Sequence, residues 1–261
     1  CDEKGIVLRT GADPLAAAWE GRAGLPAAPL FEHTAPQAAV ARAAKLAQVR
    51  AGMATHGATH HFVSTVDDIA WVTNLRGADV EYNPVFLAHL LVGQNEATLF
   101  VGAGKVSPAL AATLASDGVR VADYREAPAA LAALPAGSVL LVDPKRVTLG
   151  LRQSVADGVR VVEAINPSVL AKSRKTAEEA AFIREAMAED GAAMCAFYAW
   201  FEAALARGER ITELTVDEKL TAERAKRKGF VGLSFSTIAA FNANGAMPHY
   251  RALPELHAVI E

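Results

Sequence analysis

The chain has 261 residues, 52% of them apolar, enough to bury the core of one large or two ordinary globular domains. Its 26 basic and 29 acidic side chains leave a net charge of -3, so no single-signed field attracts nucleic acid or an anionic membrane, and neither is expected as a partner. Two widely spaced cysteines, Cys1 and Cys195, offer neither a disulfide framework nor a zinc cluster, which fits a reducing, cytoplasmic compartment.

Residues Gly5 to Gln37 are crowded with Gly, Pro and Ala and lack a sustained period, so residues 1–39 read as a linker or the tail of a preceding domain. The opening at Cys1, in a charged segment, gives no signal peptide to read. No stretch approaches the ~20 apolar residues of a membrane span, and the longest apolar run, Val85 to Val92, is broken by His89. From about Ala38, the spacing of Val40, Ala44, Ala47, Val49 and Met53 predicts a helix ending at Gly57, followed by a strand from His60 to Val66. Further strands are predicted at Val85–Val92, Ala97–Val101, Val119–Ala122, Val139–Asp143 and Val159–Val162. Ala-rich helical segments at Ser107–Ser116 and Ala127–Leu134 fall between them, so residues 40–170 read as one compact α/β domain.

At Asn166-Pro167 the pattern changes. Thr176-x-x-Glu179 has the form of a capping box, and Ile183, Met187, Met194, Phe197, Phe201 and Leu205 continue at helical spacing to a stop at Gly208. A second amphipathic helix starts near Thr212 or Thr215, ends at Gly229 and leads into a predicted strand, Phe230 to Phe235. This is the opening of a second domain, residues 171–261. Little chain follows Tyr250, and Ala258-Val259-Ile260 is strand-like, so the domain is expected to be incomplete.

Three motifs invite chemistry. Gly102-Ala-Gly104-Lys105-Val lacks the Ser or Thr that a phosphate loop places after its lysine, and it reads as a plain turn. His56, His60 and His61 do not converge as metal ligands, because residues 60 and 61 of a strand point to opposite faces. The segment Asp67 to Phe86 packs paired carboxylates, Trp71, Arg76 and a Tyr82-Asn83-Pro84 turn into twenty residues. Its plain explanation is Arg76 paired with a carboxylate to hold a loop, with Trp71 in the core. His249 follows a small polar turn, Phe241 to Gly245, at a predicted strand and loop junction. There it could serve a cleft as proton shuttle or oxyanion partner, although most lone histidines are structural or solvent-facing.

The last two segments carry a resemblance. Asp67-x-Ile-Ala-Trp71-x-x-Asn74-Leu75-Arg76-Gly77-x-Asp79-Val80-x-x-Asn83-Pro84-Val85-Phe86 resembles a signature of the long, three-domain Xaa-Pro aminopeptidases, also called aminopeptidase P. Leu233-Ser234-Phe235, Thr237-Ile238, Asn244-Gly245-Ala246 and His249-Tyr250 are similar, in the same order, to the start of that family's catalytic domain. The likeness runs from about Asp13 to Ile260.

The resemblance implies a creatinase/prolidase-like α/β domain, a mixed sheet with helices, followed by the start of an α+β pita-bread metallopeptidase domain. The implied activity is release of the N-terminal residue from peptides with proline second, by a cytoplasmic homodimer. The family's two divalent ions, usually manganese, are held by two aspartates, a histidine and two glutamates. None of those ligand positions occurs before Glu261, so no metal-binding residue is expected in this chain, and the chain alone is expected to be inactive. His249 alone matches a family active-site position, with a catalytic and substrate-binding role at the scissile carbonyl. Tyr250 would brace it. Two alternatives remain: a prolidase- or creatinase-like enzyme on the same scaffold, and a non-catalytic binding module.

Overall fold

A computed structural model describes residues 4–7, 13, 15 and 18–260; Cys1 and parts of the 5–37 stretch lie outside the described residues. Within that stretch, β1 (Phe31–Glu32) pairs antiparallel with β3 (Leu75–Arg76). Buried Arg42 holds the same region, with Nη2 2.5 Å from Glu32 Oε1 and Nε 2.6 Å from the carbonyl of Thr73.

The α/β domain is built on six strands: β2 (His60–Val63), β4 (Ala88–Val92), β5 (Ala97–Val101), β6 (Val119–Asp123), β7 (Val139–Val142) and β8 (Arg160–Glu163). Their order is β6-β5-β4-β2-β7-β8. The sheet is mixed: β4 runs antiparallel to both β2 and β5, and the other neighbours are parallel.

Strand alternation sends successive side chains to opposite faces. His61 and Val63 therefore face α1 (Arg42–Thr55) and α2 (Val66–Thr73), where Leu46, Val49, Met53, Ile69 and Val72 complete one core. Phe62, Phe100, Leu140 and Val142 face the other way, onto Leu131 of α4 (Ala127–Ala132) and Leu151 of α5 (Leu149–Gln153). Between β5 and β6 lies α3 (Pro108–Ser116), capped by the side chain of Ser107 and adding Leu110 and Leu114 to the first core.

Two predicted strands are shorter in the structure by three residues each, and Val139–Asp143 by one. The first ends at Val63 because Thr65 turns the chain into α2, where Asp67 and Asp68 sit in the first turn beside the positive end of the helix dipole. The Val85–Val92 strand begins only at Ala88. Val85 is committed to the preceding loop, donating its N–H to Asn83 and accepting from Asp79.

The second region opens with α6 (Pro167–Ser173) and then α7 (Ala177–Ala206). The capping box is formed as read: Thr176 Oγ1 accepts from Glu179 N at 3.1 Å, and Thr176 N donates to Glu179 Oε2 at 3.0 Å. After β9 (Ile211–Thr212), α8 (Glu213–Ala225) packs back on α7, and Arg224 forks onto Asp190 at 2.6 and 3.2 Å. The helix stops at Ala225, four residues before the predicted Gly229. β10 (Val259–Ile260) pairs antiparallel with β9.

The predicted strand Phe230–Phe235 is absent. A strand needs a neighbour to take its N–H and C=O groups, and no strand among the described residues runs beside this one. His249 accordingly sits at no strand junction; a 3-10 turn, Asn242–Ala246, precedes it. No helix among the described residues is long and apolar enough to cross a membrane.

Candidate functional site

Most of the Asp67–Phe86 segment is spent on holding itself. Asp68 is buried, 2.9 Å from Lys172 Nζ, and accepts from Asn166 Nδ2 at 3.2 Å, while Lys172 also pairs with Asp67; together they dock α6 onto α2. Asn74 ends α2 in a left-handed conformation, φ 51°, accepting from Lys45 Nζ at 2.6 Å and donating to the carbonyl of Val40 at 2.9 Å. Lys45 lies 4.6 Å over the Trp71 ring. Burial, first of all, pulls its ammonium down to about 8, with Glu179 opposing and Arg76 adding to the shift.

Arg76 corrects the plain explanation. Its Nη1 donates to the backbone oxygens of Ala70 and Leu75, at 3.0 and 2.9 Å, and not to a carboxylate. Asp79, three residues on, is buried against Lys105 and also accepts from Leu87 N at 2.8 Å. That ion pair removes Lys105 from any phosphate-binding role, in line with the plain turn expected there. His61 is fully buried and bonded to the carbonyl of Leu141 at 3.0 Å, and His60 is half-buried beside Thr59.

Two clefts lie where the α/β domain meets the second region. One, of about 510 Å3, has Trp71, Arg76 and Pro84 on one wall and Glu179, Phe182 and Ile183 of α7 on the other. The second, of about 220 Å3, brings Tyr82 opposite Asp217, Thr237 and Arg251. Tyr82 has φ 61°, a left-handed backbone that is rare for a bulky residue.

His249 stands two residues from Arg251, exposed to solvent and lining neither cleft. It too has a left-handed backbone, φ 60°. Pro248 precedes it, and Tyr250 N donates to the carbonyl of Met247 at 3.3 Å, closing a four-residue turn with His249 at its third position.

Beneath that turn lies the most heavily bonded side chain of the region. Glu213, at the start of α8, is 0% exposed. Its Oε1 accepts from Phe241 N at 2.6 Å and Asn244 Nδ2 at 3.1 Å; its Oε2 accepts from Tyr250 OH at 2.7 Å, Ala258 N at 2.7 Å and Asn244 Nδ2 at 3.1 Å. Burial, the largest single influence, pushes the carboxyl up, but its donors, Ala258 and Phe241 N–H foremost, jointly outweigh it and hold the group at about 2. The Tyr250 phenol is pushed up by burial and by the adjacent carboxylate. Among the described residues, no group of three or more His, Cys, Asp or Glu converges to hold a metal ion.

Comparison with known proteins gives this geometry its setting. A family model described as Creatinase/Prolidase N-terminal domain matches residues 21–179. The chain belongs to that family. A model for Metallopeptidase family M24 matches residues 181–258, so the creatinase/prolidase domain is followed by the start of an M24 domain. The chain is 33% identical over 225 residues to "Probable Xaa-Pro aminopeptidase P" of Botryotinia fuckeliana, covering 83% of this chain and 34% of that protein. To "Xaa-Pro aminopeptidase 1" of Dictyostelium discoideum it is 35% identical over 211 residues, covering 79% and 33%. The chain thus spans about a third of the length of these relatives. In fold it matches X-prolyl aminopeptidase of Caenorhabditis elegans, described as a cytosolic enzyme with a di-nuclear active site, with a TM-score of 0.84 at 23% identity over 94% of this chain and 40% of that one.

Sequence reading of the M24 segment does not single out Glu213, which passes there as an ordinary helix-start acid. The available signal is its phase: it lies seven residues before Leu220, on the face of α8 that is buried. A carboxylate in line with an apolar stripe must find several donors.

Proposed function

We propose that the protein carrying this chain is a metallo-aminopeptidase that releases the N-terminal residue from peptides with proline in the second position. Support comes from the order of the two matched families and from relatives that bear the name Xaa-Pro aminopeptidase. The observation that carries the reading is the His249 turn: a solvent-facing imidazole on a left-handed backbone, two residues before Arg251, which lines a cleft walled by both regions. A left-handed backbone costs an L-residue about 1–2 kcal/mol, and such strain concentrates at sites of function.

In this reading His249 binds the substrate and donates a hydrogen bond to the oxygen of the scissile carbonyl, where negative charge grows toward the tetrahedral intermediate. Proline makes that bond a tertiary amide with no N–H, so a pocket fitted to the ring has no donor to satisfy. Two divalent ions, manganese in this reading, belong to residues beyond the described ones, and the enzyme is a cytoplasmic homodimer. The test is a substrate comparison on the enzyme that carries these residues. It is expected to release the first residue of Xaa-Pro-Yaa tripeptides and to leave Xaa-Ala-Yaa intact. Cleavage of Xaa-Pro dipeptides alone would overturn the reading in favour of a prolidase.

A further inference from the structure

We infer that Glu213 is a positioning residue for His249, acting through Tyr250 and Asn244. The inference rests on the substrate-facing reading of His249 and adds the part of the chain that aims it.

The turn that presents His249 has two legs, and both end on one carboxylate. On the near side, Asn244 Nδ2 donates to Glu213, and the carbonyl of Asn244 accepts from Met247 N at 3.1 Å, the first residue of the His249 turn. On the far side, the Tyr250 hydroxyl donates to Glu213 Oε2 at 2.7 Å, immediately after His249. The two legs are joined to each other, since Asn244 Nδ2 also donates to Tyr250 OH at 3.0 Å. Two further anchors, Phe241 N and Ala258 N, fix the chain before and after the turn to the same group.

A lone imidazole on an exposed turn would sample many directions. Here the backbone on both sides is tied to a fully buried anion at the start of α8. Hydrogen bonds to a charged acceptor are stronger than neutral ones, and the left-handed conformation of His249 persists because its surroundings over-determine it. The buried carboxylate therefore fixes where the growing charge on a substrate carbonyl finds its donor.

The test is a double-mutant cycle on kcat and KM in the enzyme that carries these residues, with melting temperature measured alongside. Tyr250→Phe leaves Glu213 the donors from Phe241, Asn244 and Ala258, so the fold is kept while one leg is cut. We expect kcat to fall on the order of tenfold to a hundredfold, as misplacement of a reacting group does, with KM within roughly twofold. In a His249→Ala background the same change should have no further effect on kcat, because Tyr250 acts only through the histidine. Asn244→Ala, which cuts the other leg, should behave the same way and serves if Tyr250→Phe does not fold. If His249→Ala lowers kcat but neither leg variant does, or if Tyr250→Phe lowers kcat equally in both backgrounds, Glu213 is merely structural and the inference falls alone. If His249→Ala leaves kcat unchanged, the functional reading of His249 falls and takes the inference with it.

Discussion

In the creatinase/prolidase domain, helices cover both faces of a six-stranded sheet, whereas in the M24 segment α7 and α8 cover mainly each other. Of the thirty residues of α7, only Ala193, Phe197 and Ala204 are buried, and Ile183 and Met187 stay in solvent with Val231 and Phe235 beyond α8. The first region is held by distributed apolar packing. The second is held at few points, and its 241–260 stretch converges on one carboxylate. The contrast teaches that local sequence can specify a helix completely, cap included, while burial depends on what lies opposite.

If the contrast is correct, the two regions should fail differently. The largest effect is expected from Lys105→Met, which leaves Asp79 charged and unpaired in the core of the first domain. Breaking a buried pair by removing one partner typically costs about 3–5 kcal/mol. Urea unfolding should register that loss across the whole sheet, and a loss confined to the 102–105 turn would contradict it. Glu213→Ala should cost about 2–4 kcal/mol, since several donors lose a charged acceptor at once. Its signature is local: amide exchange should speed up across 241–260 and stay slow in β2, β4 and β5. Uniform acceleration would mean that the two regions unfold as one.

Acid separates the regions more finely. His89, packed between the rings of Phe62 and Tyr124, is pulled down to about 4 by burial. It is folded in the neutral form, so its contribution is complete above the usual 6.5 and is lost as pH falls toward 4. Glu213 is folded as the anion, so its contribution is complete above the usual 4.5 and is lost as pH falls toward 2. Exchange protection in the sheet should therefore begin to weaken at a higher pH than protection around 241–260. The reverse order would contradict both assignments.

The α/β domain is legible because its strands are short apolar runs separated by turn residues, and the opening of the second region because Thr176 announces the helix it caps. What is not legible depends on distant partners. The run from Val63 to Val66 suits a strand in isolation, yet Ser64 and Thr65 leave the sheet and Val66 enters α2 because Asp68 is received by Asn166 and Lys172, about a hundred residues on. Arg76 reads as half of an ion pair, but carbonyl oxygens at the end of α2 take it first. The phenylalanines and valine of 230–235 have strand chemistry without a strand beside them. At the candidate site, His249 can be picked out by its motif, while Glu213 cannot, because its five contacts come from residues 241–258.

The most direct measurement compares His249→Ala and His249→Gly for hydrolysis of an Xaa-Pro tripeptide and for unfolding free energy. Loss of an oxyanion donor should lower kcat/KM by about a hundredfold or more in both variants. The glycine variant should stay within about 1 kcal/mol of the parent, because relief of the left-handed backbone is offset by extra entropy of the unfolded chain. Unchanged kcat/KM in both variants would leave His249 a turn residue and nothing more.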